Sequence, residues 1–79
     1  MTVALTALSA GQHGTVRGFD DVDDTAARLM EMGVVEGAEV ELVRFAPTGD
    51  PIEVRVMGYA LSLRRADAAR ILLEDVGNS

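Results

Sequence analysis

Apolar and charged residues alternate from Glu39 to Phe45, with Val40, Leu42 and Arg44 on one parity and Glu39, Glu41, Val43 and Phe45 on the other. A period of two predicts a strand. Ile52 to Val56 alternates in the same way, and the intervening 46–51 segment holds Pro47, Gly49 and Pro51, so the pair reads as a hairpin. Glu53 and Arg55 are then placed for cross-strand ion pairs with acids such as Glu41. His13 to Phe19 predicts an earlier strand, entered through a Gly11–Gly14 turn and bulged at Gly18. Thr2 to Ala10 reads as a lead-in carrying Leu5 and Leu8. Ala60 to Arg64 and Ile71 to Val76 predict two further strands, separated by one helical turn at 65–70. The polar residues Gly77, Asn78 and Ser79 are expected to fray.

The period changes to three and four after the first strand. Ala26, Leu29, Met30 and Gly33 recur on one face of a predicted helix over Thr25–Met32. Asp23 or Asp24 can accept from the free N–H groups at its start, and Gly33 can take the left-handed conformation past its end. Five short strands with one helix inserted after the first predict a mostly β fold, a small closed or nearly closed barrel that hides its edges.

Length and composition narrow this picture. A chain of 79 residues holds one core, expected to span the whole sequence as a single domain. Hydrophobic residues make up 48% and aromatic residues only 4%, so that core is aliphatic; there is no Cys for disulfides or thiolate ligation. Thirteen acids against seven arginines, with no Lys, give a net charge of −6, which disfavours nucleic acid as a partner. No apolar run approaches the roughly 20 residues of a membrane span, and no basic leader precedes one, so neither secretion nor membrane insertion is expected.

A search for chemistry finds little. His13 is the single histidine, expected in a solvated turn, and it has no second His or Cys with which to hold a transition metal. Asp20, Asp21, Asp23 and Asp24 are weak candidates for a hard divalent cation, though they lack the glycine and distant glutamate of a calcium loop. No hydroxyl has a neighbouring base, so no catalytic residue, enzyme activity or cofactor is expected. A binding surface remains. Its candidates are Arg28, Leu29, Met30, Glu31, Met32 and Val34 on and after the helix, with Arg28 and Glu31 spaced for weak pairing, and Tyr59 at a turn.

The ordered set Leu5-x-x-Leu8-x-x-Gly11, Gly14-x-Val16, Arg28-Leu29-x-Glu31-Met32-Gly33, Gly37-x-x-Val40, Gly49-Asp50-Pro51-Ile52 and Leu61-x-Leu63-Arg64 resembles the FeoA family across nearly the whole chain. The resemblance implies an SH3-like barrel and a cytoplasmic location. It also implies an accessory or regulatory role in bacterial ferrous iron uptake, through binding the cytosolic part of a FeoB-type membrane transporter. The same resemblance leaves two alternatives: an iron-sensing or iron-carrying domain, and a regulatory domain related to the C-terminal domain of iron-dependent repressors. Oligomeric state is left open.

Overall fold

The structure, a computed structural model, describes residues 1–78. Six strands form one antiparallel sheet: β1 (Val3–Ala4), β2 (Gln12–Phe19), β3 (Glu39–Phe45), β4 (Ile52–Val56), β5 (Tyr59–Leu63) and β6 (Ile71–Asn78). Helix α1 (Asp24–Glu31) follows β2, and the four-residue helix α2 (Arg65–Ala68) links β5 to β6. The spatial order is β1-β6-β2-β3-β4-β5, so β1 and β5 are the two edges. Those edges are bridged by helical turns: the 3-10 turn Leu5–Ala7 that follows β1 packs on α2, which follows β5. The result is the small, mostly β, SH3-like fold expected, with an incompletely closed sheet.

One aliphatic cluster lies inside. Leu5, Val16, Val34, Leu42, Ile52, Val54, Ile71 and Leu73 are all fully buried, and among the described residues no polar or charged one is buried with them. Alternation accounts for most of this, since Val40 and Leu42 of β3 and Ile52, Val54 and Val56 of β4 occupy the inward face in register, Val40 opposite Val56 and Leu42 opposite Val54. The parity then changes. A bulge between Leu42 and Arg44 places Phe45 opposite Ile52 and against the core, while Arg44 turns outward to Glu53. The simple alternation that grouped Arg44 with Val40 and Leu42 fails at that one extra residue.

Two further bulges interrupt the β2–β6 pairing, between His13 and Thr15 and between Val16 and Gly18. The second confirms the bulge read at Gly18, whose φ is +154°. Gly14 lies at the first, and a Cβ there would stand 3.0 Å from the Glu74 carbonyl oxygen and 3.1 Å from Leu73 Cβ. Only glycine allows these two strands to approach so closely.

Three expectations are corrected. The lead-in contributes a strand, because Val3 and Ala4 pair with Leu73 and Leu72. His13 is in β2, opposite Glu41 and Gly77, rather than in a turn. Gly77 and Asn78 do not fray: β6 continues through Asn78, opposite Gln12, and the expectation for Ser79 lies outside the described residues.

Candidate functional site

Helix α1 is fixed at both ends by its own sequence. Asp23 is extended, and its Oδ1 accepts the Ala26 N–H at 3.1 Å, satisfying a donor that the first turn leaves free. At the other end Gly33 has φ +102°; its N–H donates to the Met30 carbonyl at 3.1 Å and the Val34 N–H donates to the Leu29 carbonyl at 3.0 Å. That paired arrangement is a Schellman stop, which usually brings the flanking apolar residues together. It explains a correction: Leu29 and Val34, expected as partner contacts, are 3% and 0% exposed and belong to the core.

The outer face of α1 is what a partner can reach. Arg28, Met30, Glu31 and Met32 are exposed. Arg28 and Glu31 do not pair with each other, and neither makes an ion pair with any described residue. Tyr59 is 76% exposed at the start of β5, and among the described residues no hydrogen bond to its hydroxyl anchors the turn. Val56 stands opposite Tyr59 in the β4–β5 pairing, and a Cβ on Gly33 would lie 3.9 Å from its Cγ1, so the end of α1 and the β4–β5 turn lie at one end of the sheet.

A groove of about 170 Å³ runs between α1 and β5. Arg28 and Met32 form one wall, Ser62 and Arg64 the other, with Leu29 and Leu63 beneath and Asp67 of α2 at its end. The sequence reading found the helical wall; it missed the β5 wall because nothing local says that β5 is an edge. A wider hollow of about 430 Å³ lies on Phe45, Pro47 and Pro51, flanked by the ion-paired Arg44 and Glu53, 2.9 Å apart.

The acidic run caps α1, as expected of Asp23, and is also tied to the far end of the chain. Arg70, immediately before β6, donates from Nη2 to Asp23 Oδ2 at 2.8 Å and to the Asp21 carbonyl at 3.2 Å, and from Nε to Asp20 Oδ1 at 3.4 Å. Arg70 and the N–H at the helix start hold the Asp23 carboxyl below the ordinary value of 3.8. Asp24 is the first residue of α1, where its charge meets the positive end of the helix. Among the described residues no three His, Cys, Asp or Glu side chains converge as a metal site would require. His13 instead lies against Gly77, where a Cβ would come 3.9 Å from its ring.

A second tie joins the hairpin loop to α2. Asp50 Oδ1 accepts the Arg65 N–H at 2.9 Å, and the Arg65 guanidinium donates to the Gly49 carbonyl at 3.3 Å and lies 5.4 Å from the centre of the Phe45 ring. The Gly49-Asp50-Pro51 segment therefore supplies a remote cap for a helix fifteen residues on.

Comparison with known proteins places this architecture. The FeoA domain profile matches residues 3–75. An Fe(2+) transport protein A/Fe(2+) transporter FeoB fusion protein of Porphyromonas gingivalis is 44% identical over 75 residues, 95% of this chain and 9% of that protein, so the chain spans under a tenth of that relative's length. The crystal structure of Stenotrophomonas maltophilia FeoA complexed with zinc, described as a procaryotic SH3 domain protein, superposes with a TM-score of 0.84 at 29% identity, covering 96% of each chain. A manganese-dependent transcriptional repressor complexed with manganese shares the fold alone, with a TM-score of 0.84 at 20% identity over 92% of this chain and 36% of the repressor. With a family profile over most of its length and a relative of this identity, the chain belongs to the FeoA domain family, which is linked to ferrous iron transport.

Proposed function

We propose that this chain is a non-enzymatic, cytoplasmic accessory of bacterial ferrous iron uptake that binds the cytosolic part of a FeoB-type transporter. The observation that carries this reading is the fusion relative, in which a segment 44% identical to this chain is joined to a transporter in one polypeptide. Covalent linkage raises the effective concentration of one partner at the other, and such fusions suit proteins that work in contact. The exposed outer face of α1, with Arg28, Met30, Glu31 and Met32, is the surface offered for that contact. Flexible methionine side chains adapt to a partner at low cost. Co-purification of the transporter's cytosolic part with this chain, together with reduced Fe(II) uptake when the chain is deleted, is the expected result; unchanged uptake would contradict the reading.

Two observations bear on other readings. The zinc complex of the Stenotrophomonas relative favours a metal-sensing or metal-carrying role. Against it here, Asp20 and Asp23 are engaged by Arg70. The repressor likeness matches the alternative of a regulatory domain in architecture, but at 20% identity it extends to fold only and carries no role to this chain.

A further inference from the structure

The outer edge of β5 carries none of the usual protections of an edge strand. Exposed edges are normally blunted by shortness, by charge or by proline. The opposite edge, β1, is blunted because it has only two residues. β5 has five, Tyr-Ala-Leu-Ser-Leu, with no charged residue and no proline, and no strand pairs with its outer side among the described residues.

The electrostatics around this edge are equally specific. The chain carries seven arginines and a net charge of −6. Five arginines are committed: Arg17, Arg44, Arg55 and Arg70 to carboxylates, and Arg65 to the Gly49 carbonyl and the Phe45 ring. The remaining two, Arg28 and Arg64, have no acidic partner among the described residues, and both line the groove beside β5. Asp67 is the one carboxylate there, which leaves the groove with a net positive charge on a strongly acidic protein. At about 170 Å³ the groove is smaller than the roughly 300 Å³ at which small-molecule pockets begin, so a side chain fits it better than a metabolite.

We infer that the β5 edge, flanked by Arg28 and Arg64, docks an extended segment of a partner protein by strand addition, with an apolar side chain seated against Met32 and Leu29 and carboxylates on either side of it. Backbone pairing supplies binding, and the groove with its two guanidinium groups supplies selectivity. A second copy of this chain is the poorer occupant, since edge-to-edge pairing would join two molecules of charge −6 and bring no carboxylate of β5 to either arginine. The inference rests on the reading that the chain works through protein contacts, and it specifies the contact.

The probe is a capped five-residue peptide with leucine at its centre, threonine on either side of it and glutamate at each end, so that leucine and both glutamates share one face of the added strand, compared with its lysine counterpart. Titrated into the isotope-labelled chain, the glutamate peptide is expected to shift the backbone amides of Tyr59–Leu63 together with those of Arg28 and Met32. It should bind at least tenfold more tightly than the lysine peptide, and the R28E/R64E double variant should reverse that order while keeping its dispersed spectrum. Equal binding of both peptides, shifts confined to other strands, concentration-dependent self-association through β5, or no shift at millimolar peptide would each overturn the inference. The same double variant separates it from the wider reading. If the transporter's cytosolic part binds wild type and R28E/R64E equally, the docking edge is wrong and the accessory role stands. If the peptide binds as described while the transporter does not bind wild type, the accessory role is wrong and the docking edge stands.

Discussion

Arg70 and Asp23 meet at 2.8 Å across 47 residues of sequence, and Asp23 uses its other oxygen to cap α1 through the Ala26 N–H. One carboxylate therefore fixes where the helix begins and ties that beginning to the start of β6. Removing the Asp23 carboxylate breaks both functions together, whereas truncating Arg70 breaks the tie to β6 and leaves the cap. Asp23→Ala should lower the Tm by roughly 4–8 °C, the size expected for losing one cap in a domain this small, and Arg70→Ala should lower it by less, as thermal melts by circular dichroism would show.

The same pair predicts a pH dependence. Asp23 titrates below the ordinary value of 3.8 in the folded chain, chiefly because Arg70 bonds it and then because the Ala26 N–H does. A lowered carboxylate contributes stability that is complete above the unfolded value and disappears as pH falls through the folded one. The Tm difference between wild type and Asp23→Asn should thus be constant from neutral pH down to about pH 5 and shrink below 3.8. A difference that grows on acidification would contradict this assignment.

Core and surface positions on α1 should separate cleanly. Leu29 is 3% exposed and Met32 45% exposed. Leu29→Ala is expected to cost about 2–5 kcal/mol through transfer and cavity terms, and Met32→Ala to stay within about 0.5 kcal/mol of wild type. Denaturant unfolding tests both, and Met32→Ala should weaken transporter binding despite its normal stability.

Gly14→Ala tests the β2–β6 bulge. The new methyl group would meet the Glu74 carbonyl oxygen at 3.0 Å, Leu73 Cβ at 3.1 Å and Val76 Cγ2 at 3.2 Å, and two of these three are held by the sheet itself. A destabilisation of about 1–3 kcal/mol is expected from such overpacking, read from urea midpoints at unchanged m-value.

Much of this fold is legible in residue order, and the failures share one cause. Helix α1, its cap and its glycine stop are local features, as are the alternating β3 and β4, and all are found where the pattern puts them. Features that depend on distant partners are not. Asp20 and Asp23 look like a cation site until Arg70 arrives from the far end of the chain, and Asp50 looks like a turn residue until the Arg65 N–H finds it. The Val3–Ala4 strand is too short to carry a period and exists only because β6 runs beside it. For the candidate surface, Arg28, Met30, Glu31, Met32 and Tyr59 are exposed as expected, while Leu29 and Val34 were lost to the core by a Schellman geometry that the expected glycine stop already contained. Arg64 could have been added only by noticing that it and Arg28 lack acids, which requires the pairing of the other five arginines to be known.

The most direct test of the central claim is calorimetric titration of this chain into the soluble cytosolic part of a FeoB-type transporter. A saturable heat that is weakened by R28E/R64E and by Met32→Ala, with both variants folded, is the predicted result. No saturable heat with wild type, accompanied by normal Fe(II) uptake in cells lacking the chain, would contradict it.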